Sequence, residues 1–193
     1  MNQATQPVTR PATLPLALPW RYSRTAVVLH WVVALGLVGM VGMGWYMVSV
    51  EDEPGSAVYF ELHKSVGLLM AALIAVRLSW RLTHPPAHLP ASVPRWQARL
   101  AHAAQVLLYV VMVLMVLSGY LGASHSKAGV MLFGLATPQW ALPDHDQAEQ
   151  YFDIHGALAW VLVAVVSLHV LGALKHLLID RDGTFQRMWF SRR

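Results

Sequence analysis

Four of the ten histidines sit within or at the ends of apolar stretches: His30, His63, His155 and His169. His155 and His169 are fourteen residues apart. At 100° per residue that separation is about 40° short of four full turns, so on one helix the two imidazoles share a face and stand about 21 Å apart along the axis. His30 lies at the depth of His169, and His63 at the depth of His155. A planar macrocycle whose iron takes an imidazole on each face needs two histidines from different helices. The spacing supplies such a pair twice, so the residues point to two b-type haems stacked along one helix face. Zinc would want carboxylate or thiolate company at one of these depths and finds none. A proton relay would want an acid in mid-span, and none is there. Interhelical hydrogen bonding accounts for a single histidine of this kind better than for four in two depth-matched pairs.

The remaining polar residues suggest what surrounds such pairs. Arg77 and Arg81, one turn apart, are propionate partners or ordinary membrane-end anchors. His102 is a propionate contact or an alternative ligand to His30. His176, seven residues beyond His169 and nearly on its face, would lie beneath the inner haem, facing a propionate, a quinone head group or solvent. Lys64 and Lys127 make a local positive spot that could draw a small anion toward the outer haem. His84, His88 and His145 read as loop residues, and His125 has no assigned role.

These side chains need elements that hold them in the bilayer. The chain is 56% hydrophobic and 12% charged, too apolar for an ordinary soluble domain of 193 residues. The absence of cysteine excludes disulfides, thiolate metal sites and covalent c-type haem. Residues 26–48 carry no charge and as a helix measure about 34 Å, enough to span a bilayer. Gly36, Gly39, Gly42 and Gly44 within it offer close-approach surfaces. Further spans are expected over about 63–82, 100–123 and 154–179. The expected fold is all-α, a transmembrane four-helix bundle at residues 21–189. It is flanked by a disordered, proline-rich tail at 1–20 and a basic C-terminus at 190–193. The long connection between spans three and four reads as partly folded on the outer face, as a short interfacial helix. No internal repeat, Walker motif or dinucleotide fingerprint is present.

Charge sorts by side. The tail, the second connection and the C-terminal segment hold twelve arginines and lysines against Asp180 and Asp182. The other two connections hold eight acids against Lys64 and Lys127. The positive-inside rule places both termini in the cytoplasm. Membrane topology, not nucleic-acid binding, therefore explains the net charge of +4.

Arg21-Tyr22-Ser23, Leu29-His30-Trp31, Leu62-His63-Lys64-Ser65 with Gly67, and Val76-Arg77-Leu78 resemble the bacterial cytochrome b561 family of small dihaem membrane proteins. Leu100-Ala101-His102, Tyr109, Phe133-Gly134-Leu135 with Pro138, and His155 with His169 continue the likeness to about Trp189. The resemblance implies a bacterial inner-membrane b-type cytochrome with His30 paired to His169 and His63 to His155. Relatives of this size include a superoxide oxidase that passes electrons from periplasmic superoxide to ubiquinone. On that analogy Lys64 and Lys127 guide superoxide, and His176 with Arg77 or Arg81 meets the quinone or a propionate. The acidic outer connections also suit an electron-transfer subunit or anchor serving a dehydrogenase, hydrogenase or soluble redox protein.

Overall fold

The computed structural model describes residues 21–85 and 93–190. The expected disordered tail, His88 and residues 191–193 lie outside them. Among the described residues four helices are long and apolar enough to cross a membrane: α1 (Arg24–Ser49), α2 (Ala57–Thr83), α3 (Arg95–His125) and α4 (His145–Lys175). A π-helical turn over His176–Asp180 extends α4, and a 3-10 turn over Phe185–Met188 follows. The chain is a multi-pass membrane protein built as an all-α bundle.

Three of the four helices begin at a local start signal. The Ser23 hydroxyl accepts from the Ala26 N–H at 3.2 Å, satisfying one of the donors a first turn leaves open. Asp144 does the same for Gln147 at 3.1 Å. Pro94, which has no N–H to lose, precedes α3. The helices are longer than their apolar windows: α2 starts at Ala57 and α4 at His145, whereas hydropathy places these starts near residues 63 and 154. The first turn of α4 is carried by the Asp144 cap, whereas α2 starts on Ala57-Val58-Tyr59-Phe60 without a side-chain cap, its Tyr59 ring packed edge-on against Tyr46 of α1 at 5.0 Å.

The centre of the bundle draws on all four helices: Val33, Met70, Ile74, Val111, Met112 and Leu162 pack together. Many of the other apolar side chains point outward, with Leu35 68% and Leu168 70% exposed. A water-soluble protein would not leave such surface uncovered, whereas lipid covers it at no cost. Of the glycines on α1, a Cβ at Gly36 would collide with the Met70 side chain and one at Gly44 would come 3.3 Å from His63, while Gly39 and Gly42 face open space.

The connection between α3 and α4 holds no interfacial helix. It folds instead as a two-strand hairpin, β1 (Met131–Leu132) against β2 (Leu135–Ala136). Phe133 and Gly134 both take positive φ, 48° and 84°, as the tight two-residue turn of a hairpin requires. Phenylalanine resists that conformation, and the neighbouring helix compensates. Ser65 of α2, 2% exposed, accepts from the Phe133 N–H at 2.9 Å and donates to the Glu61 carbonyl at 2.8 Å, with the Met131 carbonyl 3.2 Å away.

Candidate haem sites and the side chains around them

The bundle brings the four histidines together in the two pairs expected from their depths. His30 of α1 faces His169 of α4 with ring centroids 6.3 Å apart, and His63 of α2 faces His155 of α4 at 6.2 Å. All four are partly buried. Both pairs share α4, one toward each end of the bundle.

At the His63 end the second ring nitrogens are in different states. His155 Nδ1 donates to the Met115 carbonyl at 3.0 Å, with the Ser118 hydroxyl 3.3 Å away. A neutral imidazole that donates from Nδ1 keeps its lone pair on Nε2. His63 Nδ1 is buried and has no hydrogen-bond partner among the described residues. Gly119 makes room for the pair, since a Cβ there would lie 2.9 Å from His155 Cε1.

At the His30 end, Arg77 donates to His30 Nδ1 at 3.1 Å, lies 5.9 Å from the Tyr109 ring centre and reaches the Ala26 carbonyl at 3.4 Å. Arg81 donates from Nη2 to Gln105 at 3.1 Å, while its buried Nη1 has no partner among the described residues. A guanidinium with an orphaned buried nitrogen calls for an anion. His102 is exposed on α3 and makes no contact with the pair among the described hydrogen bonds and ring contacts.

Sequence reasoning missed how the chain after α4 folds back. Arg181 takes a left-handed backbone, φ 50°, which turns Asp182 toward His176. His176 Nδ1 donates to Asp182 Oδ2 at 2.7 Å and lies 3.2 Å from Asp180 Oδ2. Lys175 pairs with Asp180. One nitrogen and two carboxylate oxygens thus lie within 4.8 Å of one another, but the lysine already supplies a cation to Asp180, and the cluster is an ion-pair network. Burial alone would raise the Asp182 pKa, yet hydrogen bonds from the Thr184 N–H and His176 hold it below the ordinary carboxylate value. Further along, Trp31 Nε1 donates to the Met188 carbonyl at 2.9 Å. Trp31, Leu35, Trp189 and Phe190 line an apolar recess of about 220 Å3.

The lysines of the opposite end have unequal environments. Lys64 is only 17% exposed and pairs with Glu61 at 2.6 Å. It also donates to the Gly129 carbonyl at 3.0 Å, so it fastens the hairpin connection to α2. Lys127, two residues before Gly129, is exposed.

The prokaryotic cytochrome b561 family profile matches residues 21–191. The chain belongs to the prokaryotic cytochrome b561 family. It is 34% identical over 177 residues to "Cytochrome b561 homolog 2" of Escherichia coli (strain K12), an alignment covering 88% of this chain and 92% of that protein. It is 25% identical to "Cytochrome b561 homolog 1" of the same organism, covering 87% and 96%. It is also 25% identical to the Yersinia pestis protein named "Probable superoxide oxidase CybB", covering 90% and 98%. Membership in the cytochrome b561 family, with four apolar helices, makes this chain a multi-pass inner-membrane protein with a general role in electron transfer across the membrane. It also implies haem b as the cofactor.

Proposed function

We propose that this cytochrome b561 carries electrons across the membrane through two b haems, held by His63 with His155 and by His30 with His169. The observation that carries this reading is the pair of ring separations, 6.2 and 6.3 Å. A metal–imidazole bond is about 2 Å and a ring nitrogen lies about 1.1 Å from its centroid. Two imidazoles on one iron therefore have centroids about 6.2 Å apart. His155, donating from Nδ1, already presents Nε2, and the carbonyl behind it sets ring orientation and basicity. Arg81, with Arg77, is the partner for propionates at the other site.

When bound, the haems supply one-electron transfer. The protein holds one ligand of each pair at its own level on α4 and the other on α1 or α2, and surrounds them with hydrocarbon. The positive-inside rule supports placing the His30 end, with Arg21, Arg24, Arg77, Arg81, Arg95, Arg99 and Lys175, in the cytoplasm together with both termini. On this orientation superoxide is oxidised at the periplasmic His63 end and ubiquinone is reduced at the cytoplasmic end. Lys127 offers an exposed cation to the anionic donor, and Lys64 positions the connection that carries it. His176 meets the quinone head group near Arg77 and Arg81.

The test is an optical spectrum with haem quantification on the purified protein, repeated for His30→Ala, His63→Ala, His155→Ala and His169→Ala. About two haems per chain are expected, with one or more lost in every variant, and undiminished haem in His169→Ala refutes the ligand set. Rapid haem reduction by superoxide, followed by reoxidation on adding ubiquinone, supports the superoxide reading. One observation favours a second reading, an electron-transfer subunit serving a partner. Asp146, Glu149 and Asp153 line an open cleft of about 450 Å3 at the His63 end, a surface that suits a basic redox protein. Co-purification with a periplasmic enzyme and indifference to superoxide support that alternative.

A further inference from the structure

We infer that Asp182 is a positioning residue for quinone reduction: it fixes the His176 ring so that Nε2 faces the quinone carbonyl and delivers a proton to it, with Asp180 and Lys175 marking the side from which that proton is replaced. The inference rests on the proposed quinone reduction at this end of the bundle.

Reducing a quinone to a quinol takes two electrons and two protons. The electrons arrive one at a time from the protein's one-electron cofactor, but the protons must come from water at the same end. In the protonated imidazole, Nδ1–H is held by Asp182 and Nε2–H points away from that carboxylate. Transfer breaks the Nε2–H bond and forms an O–H bond on the quinone oxygen, leaving a neutral imidazole that recovers its proton from solvent. The second proton enters by a repeat of the same step.

Three features support this assignment beyond the position of His176 on α4. The 2.7 Å contact to Asp182 is short and charge-assisted. Asp182 is itself immobilised, because its Oδ1 accepts from the Thr184 N–H at 2.9 Å. The π-helical turn at His176–Asp180 widens the helix where the ring sits, a distortion seldom kept without a use. The outer partner, Asp180, is paired with Lys175 and its side chain is 25% exposed, against 17% for His176 and 15% for Asp182, so the route to water runs by way of Asp180.

Asp182→Asn keeps an oxygen for Thr184 and removes the anion that orients His176. The haem-loaded protein, chemically reduced without oxygen, is mixed with ubiquinone-1 and haem reoxidation is followed by stopped flow. Quinone affinity is measured separately on the oxidised protein by tryptophan fluorescence. A general acid contributes about 100-fold or more, so His176→Gln is expected to slow reoxidation about 100-fold. Asp182→Asn is expected to slow it about 10-fold, with haem content and quinone affinity within twofold of the parent, and Asp182→Glu is expected to recover most of the rate. Unchanged reoxidation in Asp182→Asn overturns the inference. Parallel loss of affinity, haem and rate also overturns it, because the residue is then merely structural. If the parent protein itself is not reoxidised by quinone, the proposed function fails and takes this inference with it.

Discussion

Replacing Gly119 with alanine adds one methyl group, and the structure says where it lands. The new Cβ would lie 2.9 Å from His155 Cε1 and 3.0 Å from Nδ1. Comfortable carbon contacts are about 3.5–4.0 Å, so the ring must retreat by about 0.6 Å or more. It is not free to do so. Nδ1 is tied to the Met115 carbonyl at 3.0 Å, one turn before Gly119 on the same helix. A metal–ligand distance tolerates about 0.2 Å, a third of the retreat required. Overpacking of this kind costs about 1–3 kcal/mol, which weakens haem binding at the His63 end by about 5- to 140-fold. Alanine is the better helix former by up to about 1 kcal/mol, so weakening of α3 itself cannot cause the loss.

The assay is haem per chain with a redox titration, alongside helicity by circular dichroism. Gly119→Ala is expected to lose haem selectively, or to show one midpoint potential displaced and one retained, with helicity unchanged. Gly44→Ala, whose Cβ would stand 3.3 Å from His63 Cε1, is expected to do the same more mildly. Gly156→Ala, beside His155 but with nothing within 4 Å, is the neutral control. Two haems with unshifted potentials in Gly119→Ala would refute the placement of His155 as a ligand at this spacing.

Other expected outcomes follow from single contacts. Ser65→Ala leaves the Phe133 N–H without its partner, at a cost of about 1–3 kcal/mol, and should be seen as faster proteolysis of the hairpin connection. Lys127→Gln should slow haem reduction by superoxide several-fold with a weaker salt dependence, measured by stopped flow, while Lys64→Met should also loosen the connection to proteases. The Gln147 N–H hydrogen bond holds Asp144 below its ordinary pKa, and Asp182 is held low as well. A carboxylate depressed in the folded state contributes stability that is complete above its unfolded pKa of about 3.9 and is lost as pH falls through the folded value. Thermal unfolding should therefore be flat in this respect near neutrality and fall below about pH 4, and Asp144→Ala should flatten that fall.

The spans and the approach of His30 to His169 and of His63 to His155 were legible because a bilayer and a shared helix face each impose a period that sequence displays directly. A 23-residue stretch without charge admits few structures, and the fourteen-residue interval between His155 and His169 fixes their common face. The starts of α2 and α4 were not legible from hydropathy, since His145–Asp153 is helical behind the Asp144 cap and Ala57–Leu62 through packing such as Tyr59 on Tyr46. Asp144 was the available signal, an N-cap three residues before Gln147. The hairpin was hidden because Phe133 is an unusual choice for positive φ, made affordable by Ser65, sixty-eight residues away in sequence. The His176–Asp182 contact depends on one left-handed residue, Arg181, and no periodicity announces such a reversal.

The two histidine pairs also differ in readiness for the proposed ligation. His155 donates from Nδ1 to a carbonyl, so its Nε2 already carries a lone pair. His30 accepts at Nδ1 from Arg77, and because a guanidinium can only donate, a neutral His30 must keep its proton on Nε2, the wrong tautomer for a metal bond through that atom. Binding iron at the His30 end therefore requires Arg77 to release the ring and find another acceptor. A haem propionate is an acceptor of the right charge, and the unpartnered nitrogen of Arg81, one turn away, needs the same kind of group. The cofactor proposed for this end thus supplies the acceptor that frees its own ligand, which makes Arg77 the side chain through which occupancy of the site and the histidine tautomer are linked.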